Sequence, residues 1–226
     1  MPLSWQLSVD RYGLLANQYE HCLSQQERYE VHGFDNTMLL PEHFHWHAMN
    51  ERAFGQVCHQ LLCAISRVGI CKWKKTACDA RVLTSLLRRY GLIGLKKDHA
   101  LESIYKLIKC IEQSELAAYL LDPGRINAHS EYVLLNKKYG RVNRHVIDRT
   151  FYDEQGIRWI IDFKTAQPPI NSSIKQIDDF LKNEKKNYES QMKRYWQLFI
   201  DKGDKTVQSA LYFPWLDQLV VYQQFI

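Results

Sequence analysis

VIDRTFYDEQGIRWIIDFKT, residues 146–165, contains two runs rich in β-branched and aromatic residues, which favour β-strands. The four residues DEQG between them, 153–156, are typical of a tight turn, so the stretch predicts an antiparallel hairpin. If the turn centres on Gln155, Asp148 and Asp162 are equally far from it and lie opposite each other on adjacent strands. The almost continuous apolar run WIIDF predicts that the second strand is central and covered on both faces.

The repulsion between these two carboxylates has to be compensated. Directly opposed side chains have Cβ atoms about 4.5–5.5 Å apart, and like charges there are destabilising. Either one of the two acids is protonated, or a cation lies between them. Lys164 is two residues beyond Asp162, so strand alternation places it on the same face. The pair suits Mg²⁺, which takes carboxylate oxygens and water as ligands. A structural Asp–Lys pair at the end of a strand is the alternative, and spacing alone does not separate the two.

Helical patterns precede this hairpin. Three stretches repeat apolar residues at three- and four-residue spacing, which predicts helices: AFGQVCHQLLCAISRV (53–68), ARVLTSLLRRYGLI (80–93) and DHALESIYKLIKCIEQSELAAYL (98–120). Asp98 is the expected N-cap of the third. Residues 1–48 show no clear periodicity and are predicted to be an irregular extension.

Strands and one long helix make up the rest of the chain. SEYVLL (130–135) predicts a strand before the hairpin. A helix from about 174 to 200 follows the hairpin, and two further strands are expected in VQSALYF (207–213) and QLVVYQQF (218–225). The order β-β-β-α-β-β behind a helical lead predicts an α/β or α+β fold.

Composition and charge narrow the class of protein. Of 226 residues, 46% are apolar and 24% charged, as in a soluble globular protein. No apolar run reaches the about 18 residues of a membrane-spanning helix. The first residues lack a signal-peptide pattern, so we expect a cytoplasmic protein with reduced thiols and no membrane partner.

The positive charge is unevenly distributed. The net charge is +5, with −4 over residues 1–50 and therefore +9 over residues 51–226. Residues 65–97 contain nine Lys or Arg and one Asp. This concentration fits a polyanion such as nucleic acid, and an ordinary solvated helical face is the alternative.

Cysteines and one histidine cluster are weak metal candidates. None of the six cysteines belongs to a C-x-x-C pair, and Cys58 and Cys63 fall in an apolar helical pattern. Buried structural thiols are therefore favoured over a metal or iron–sulfur site. His43, His45 and His47 alternate as ligands on a strand would, but in a local aromatic segment, and metal binding there is equally disfavoured.

The hairpin resembles the core of the PD-(D/E)XK nuclease superfamily in its RecB-like branch. Asp148 matches the first acid of that motif, Asp162 the second and Lys164 the lysine. By this resemblance, Asp148 and Asp162 bind a catalytic metal ion, and Lys164 assists the attack on the phosphodiester.

Further motifs of this branch match on both sides of the hairpin. Gly55 and His59 resemble its Gly-x-x-x-His helix start, which implies that His59 contacts metal or water. Gln191 and Tyr195 resemble its Gln-x-x-x-Tyr motif, which implies positions in or beside the active site. Glu131 matches a common glutamate in the strand before the first acid and is more consistent with a structural or supporting role than with a direct ligand.

The resemblance runs from about residue 44 to about residue 218, over most of the chain. This part of the chain is similar to the nuclease end of UvrD/Rep-type helicase–nucleases, including AddA-like and exonuclease V β-subunit-like proteins. It implies a restriction-endonuclease-like mixed sheet flanked by helices. The N-terminal extension then covers 1–48 and the nuclease domain 49–226, with a helical lead over 49–121 and a catalytic core over 128–226.

Two departures accompany this match. Arg, His and Val stand at 144–146, where the family usually has a glycine. No G-x-x-x-x-G-K-[ST] occurs, so these residues contain no ATP site of that type.

The resemblance implies a Mg²⁺-dependent deoxyribonuclease, with Mn²⁺ as a possible substitute, that acts in DNA recombination or repair. The implied partners are DNA, single-stranded or at strand ends, and a separate helicase subunit. The implied catalytic residues are Asp148, Asp162, Lys164, Gln191 and Tyr195, and the implied metal ligands are His59, Asp148 and Asp162. The alternative is a DNA- or partner-binding module that keeps the nuclease fold without activity.

Overall fold

The computed structural model describes residues 46–226 except 78, 139, 170, 224 and 226, and it does not describe the side chains of 46–50, 76, 77 and 138. The predicted extension up to residue 45, with His43 and His45, and the side chain of His47 therefore lie outside the described part. The helices before the sheet are α1 (Trp46–Val68), α2 (Ile70–Ala77), α3 (Ala80–Arg89), α4 (Gly94–Gln113) and α5 (Glu115–Leu120). The strands are β1 (Ile126–Lys138), β2 (Arg141–Tyr152), β3 (Arg158–Phe163), β4 (Val207–Phe213) and β5 (Gln218–Val221), and α6 (Ile174–Asp201) lies between β3 and β4.

The five strands form one mixed sheet in the order β1-β2-β3-β4-β5. Neighbouring strands are antiparallel except β3 and β4, which are parallel and are connected through α6. The predicted fold class is confirmed, because a mixed sheet flanked by helices follows a helical N-terminal part. The central, doubly covered position predicted for WIIDF is also confirmed, since β3 lies between β2 and β4 and is almost entirely buried.

Helices cover the sheet on both faces. The helical layer α1–α5 packs on one face, against buried side chains such as Phe151, Ile161 and Phe163. The single long helix α6 packs on the other face, against Ile160 and Leu211. Among residues 46–226 as described, none of the helices combines the length with the apolar composition that crossing a bilayer requires.

The turn of the β2–β3 hairpin is built by its own residues. Oδ1 of Asp153 accepts hydrogen bonds from the backbone N–H groups of Gln155 and Ile157, both at 2.9 Å. Gly156 takes the positive φ of +76° that the turn requires. Tyr152 pairs with Arg158, so the hairpin is centred on Gln155, as predicted.

Several predicted boundaries were wrong. The irregular extension was expected to reach residue 48, but α1 begins at Trp46, and α2 was not foreseen. Asp98 is not an N-cap: α4 begins four residues earlier, at Gly94, and Asp98 forms an ion pair with Lys97 at 3.1 Å. The predicted third helix is also divided, because the Ser114 hydroxyl accepts a hydrogen bond from the N–H of Ala117 and starts a new helix there.

Arg149 fixes the helical layer to β2. This arginine is 1% exposed, and its guanidinium donates to the carbonyl oxygens of Ser66, Leu120 and Asp122 at 3.2, 3.2 and 2.5 Å. Ser66 lies in the last turn of α1 and Leu120 ends α5, so the cation lies at two helix C-termini, where the helix dipole favours it. Burial lowers the pKa of Arg149 to about 10, which leaves the side chain charged at neutral pH.

We expect Arg149→Met to lower the free energy of unfolding by about 2–3 kcal/mol, since it leaves buried carbonyl oxygens without donors. Urea unfolding followed by circular dichroism measures the change. Arg141→Met, on the exposed end of the same strand, is the matched control and should stay within about 0.5 kcal/mol of wild type. Equal stabilities of the two variants would contradict this role of Arg149.

Candidate active site

Asp148 and Asp162 lie where the pairing of β2 and β3 ends. The last pair of the ladder is Arg149 with Ile161, so the next position in the register places the two acids opposite each other, as predicted. Oδ2 of Asp148 accepts a hydrogen bond from the backbone N–H of Phe163 at 2.8 Å. The carboxylate of Asp148 is thereby anchored beside Asp162 by a backbone donor of the neighbouring strand.

The regular alternation of β2 breaks at Asp148. Ile147 and Arg149 would share a face in a regular strand, yet Ile147 packs with the α6 layer and Arg149 contacts α1 and α5. Glu131, at the position of β1 opposite Asp148, has a positive φ of +52°. Strand irregularities of this kind redirect side chains beside functional sites. Here the irregularity turns Asp148 towards His59 of α1.

Asp162 is buried, with 5% of its surface exposed. Its Oδ1 accepts a hydrogen bond from Nε2 of Gln191 at 2.8 Å. Its Oδ2 lies 2.7 Å from Nζ of Lys164, within ion-pair distance. Among the described residues, this buried oxygen has no hydrogen-bond partner apart from the Lys164 ammonium. Burial, followed by the charge of Asp148, raises the pKa of Asp162 to about 6, although Lys164 opposes the shift.

Lys164 follows β3 and extends back over Asp162. Besides its contact with the carboxylate, its Nζ lies 3.2 Å from the centroid of the Tyr188 ring. A ring face at this distance stabilises an ammonium group. The charge of Lys164 is thus held at the carboxylate pair, on the face where alternation predicted it.

The contact between Lys164 and Tyr188 was not predicted from the sequence. A signal was present, because Tyr188 lies three residues before Gln191 and so on the same side of α6.

Gln191 and Tyr195 approach the site from α6. Nε2 of Gln191 donates to Asp162 and also lies within hydrogen-bond distance, 3.1 Å, of the Tyr195 hydroxyl. Burial raises the pKa of Tyr195, so the phenol stays neutral at physiological pH. The predicted Gln-x-x-x-Tyr pair is therefore brought to the site, with Gln191 in contact with Asp162 and Tyr195 acting through Gln191.

His59 approaches the site from the opposite side, on α1. Its Nδ1 lies 3.4 Å from Oδ2 of Asp148, the same oxygen that accepts the Phe163 N–H. Burial lowers the pKa of His59, but the hydrogen bond and charge of Asp148 outweigh burial, and the net shift is upward. The structure thus places the predicted ligand His59 beside the carboxylate pair, with its Nδ1 facing Asp148.

Gly55 lets α1 approach the end of β3. It lies one turn before His59, and a Cβ atom added there would be 3.2 Å from Oγ1 of Thr165. A larger side chain would displace α1 or Thr165. The Gly-x-x-x-His spacing thus has a packing reason, because the glycine allows the close approach that brings His59 to Asp148.

Glu131 does not take part in the carboxylate pair. Its side chain forms a 2.7 Å ion pair with Arg67 of α1, and both side chains are about half exposed. This contact agrees with the structural role favoured for Glu131.

Cys58 and Cys63 are buried as predicted, and burial raises the pKa of each thiol to about 12, so both stay protonated.

The donor set suits a magnesium ion held by few protein ligands. Within the described residues, no three His, Cys, Asp or Glu side chains converge into a ready-made metal site. Mg²⁺ is commonly bound through one or two carboxylates, with water and substrate phosphate as its other ligands. Asp148 and Asp162 supply such a pair, and among the described residues the buried Oδ2 of Asp162 has no hydrogen-bond partner besides the Lys164 ammonium. The residues present therefore fit the ion.

Comparisons with known proteins add little. No family model matches the chain, and no curated protein matches it. Among solved structures, the crystal structure of SSO0001 aligns with 95% of this chain and 77% of its own chain, at 14% identity and a TM-score of 0.30. Likeness at this score carries no argument about fold or function, so the function has to be inferred from the residues of the site.

Proposed function

We propose that this chain is a Mg²⁺-dependent DNA nuclease that hydrolyses phosphodiester bonds, with Mn²⁺ as a possible substitute. The observation that carries the proposal is the pair Asp148–Asp162, of which Asp162 is buried, with the Lys164 ammonium 2.7 Å from Asp162. Carboxylates of this kind bind a hard divalent cation, and a neighbouring ammonium serves a phosphate undergoing attack.

Each side chain has a distinct part in this chemistry. Asp148 and Asp162 would hold the metal, which would polarise a phosphate oxygen and acidify a bound water. Lys164 provides a positive charge that stabilises charge developing at phosphorus or orients the attacking water. Gln191 fixes Asp162 through Oδ1, and Tyr195 supports Gln191, so these two are positioning residues.

DNA as the substrate is supported by charge. Residues 51–226 carry +9, and most cations of the basic stretch 65–97 are exposed, including Arg88 and Arg89 of α3. A basic surface draws a polyanion to the site. Single strands or strand ends as the substrate, a helicase partner, a role in recombination or repair and a cytoplasmic location also belong to the proposal. The resemblance of the sequence motifs supports the form of the DNA, the helicase partner and the role in recombination or repair.

Purified protein incubated with end-labelled single- and double-stranded DNA tests the function. We expect cleavage with Mg²⁺ or Mn²⁺ and none with EDTA, because the carboxylate pair acts through a divalent ion. Asp148→Asn/Asp162→Asn is the control that removes the site. DNA binding by wild type with no cleavage under any metal condition would contradict the nuclease proposal and favour the binding module.

A further inference from the structure

The outer parts of β1 and β2 form a two-stranded ribbon, defined here as residues 133–138 and 141–146. β2 pairs with β3 only from Arg149 to Tyr152, whereas its pairing with β1 continues outward to the pair Lys138–Arg141. The ribbon thus has no β3 partner and joins the sheet at the position of Asp148.

One face of the ribbon packs on α6. Leu134 belongs to the apolar cluster of the α6 layer, and the ring of His145 contacts the Tyr195 ring edge-on at 6.3 Å. The side chains that alternate with these form the opposite face, called here the outer face. Its cross-strand pairs are Val133–Val146, Leu135–Arg144 and Lys137–Val142.

The outer face exposes apolar groups. Val133, Leu135 and Val142 are 43%, 64% and 66% exposed. Contiguous exposed apolar side chains on a folded protein mark a binding surface more often than isolated ones do. In this case every cross-strand pair of the outer face carries at least one aliphatic side chain.

Charge indicates what binds there. Residues 133–146 contain four Lys or Arg and no Asp or Glu. Lys137 and Arg144 lie on the outer face itself, between the aliphatic side chains, and both are exposed. Cations neutralise phosphates, and aliphatic side chains pack on sugars and bases, so this mixture is complementary to a nucleic acid strand.

The outer face also leads to the candidate active site. Val146 is two residues before Asp148, and Asp148 is turned to the same side of β2, towards α1. A nucleic acid strand lying along the ribbon would therefore reach the carboxylate pair.

We propose that the outer face of the ribbon binds the substrate strand and guides its phosphodiester to Asp148 and Asp162. This inference rests on the proposed nuclease function and adds the element that holds the substrate.

The first test removes charge. Binding of a fluorescent single-stranded oligonucleotide is measured by anisotropy in EDTA, where no cleavage is expected, across a salt series. For Lys137→Gln/Arg144→Gln, which removes the two cations of the outer face, we expect about tenfold weaker binding and a salt slope smaller by about 1.4, since each lost phosphate contact on a single strand removes about 0.7. Lys109→Gln/Lys205→Gln removes the same charge from exposed positions elsewhere and should bind like wild type.

An unchanged slope in the ribbon variant, with a flattened slope in Arg88→Gln/Arg89→Gln, would place the DNA on the basic stretch 65–97. That result would overturn the inference. If the ribbon variant binds the oligonucleotide more weakly than the lysine control does, the result supports the inference.

The second test removes an aliphatic contact. Leu135→Ser and Ile126→Ser are matched, because both residues lie on β1 with 64% and 63% exposure, one on the ribbon and one at the other end. We expect Leu135→Ser to weaken binding about fivefold with an unchanged Tm, and Ile126→Ser to change neither. A clear drop in Tm for Leu135→Ser alone would show that the chain itself covers the outer face, and the inference would be wrong.

The outcomes separate this inference from the nuclease function. If wild type cleaves DNA and the ribbon variants bind and cleave equally well, only the ribbon inference fails. If DNA binds through the ribbon but is not cleaved with Mg²⁺ or Mn²⁺, the nuclease function fails and the ribbon remains a DNA-binding face.

Discussion

Lys164→Ala is expected to slow DNA cleavage by on the order of 10²–10³-fold, the usual effect of removing one electrostatic donor from a transition state. The ammonium lies 2.7 Å from Asp162 and over the Tyr188 ring, so its charge is fixed before substrate arrives. Metal affinity should be largely retained, because Lys164 is not a ligand. Single-turnover cleavage at saturating Mg²⁺ measures the rate, and isothermal titration measures metal binding.

Lys175→Ala, which removes an exposed lysine of α6, is the matched control and should cleave like wild type. Cleavage by Lys164→Ala at the wild-type rate would show that the Asp-x-Lys motif is not catalytic. A strong loss of Tm without a specific loss of rate would instead indicate a structural Asp–Lys pair.

The hairpin that carries the site could be predicted because its determinants are local. The turn is held by Asp153, which binds the N–H groups of residues two and four positions later, and Gly156 supplies the positive φ. Turn chemistry of this type fixes the register, and the register fixes which residues oppose each other. Asp148 and Asp162 therefore followed from residues close to them in sequence.

Features that depend on distant contacts could not be predicted. The break in alternation at Asp148 arises from the joint conformation of β1 and β2 and from the packing of Ile147 and Arg149 on opposite layers. No periodicity in β2 alone encodes it. The division of the predicted third helix was missed because apolar periodicity continues through Ser114, whereas the hydroxyl of that residue caps a new helix.

Asp162→Asn is expected to abolish metal-dependent cleavage and yet to stabilise the metal-free protein at neutral pH. Burial and the charge of Asp148 raise the pKa of Asp162 from 3.8 to about 6. A raised carboxyl pKa contributes stability below the pKa of the unfolded chain, and this contribution is lost as pH rises through the folded pKa. Over the full titration wild type should therefore lose about 3 kcal/mol relative to the uncharged variant, at 1.36 kcal/mol per pKa unit, and about 2 kcal/mol of this loss falls between pH 4 and 7.

Urea unfolding in EDTA at pH 4, 5, 6 and 7 measures this difference, which should grow with pH for Asp162→Asn. Asp178→Asn, at a more exposed carboxylate of α6, is the control and should give a smaller difference with pH. Added Mg²⁺ should stabilise wild type and not Asp162→Asn, because a ligand stabilises only the protein that binds it. If Asp162→Asn is less stable than wild type at pH 7 in EDTA, the ion pair with Lys164 stabilises the fold. The buried charge of Asp162 would then not lower the stability of the metal-free protein, and this prediction would be wrong.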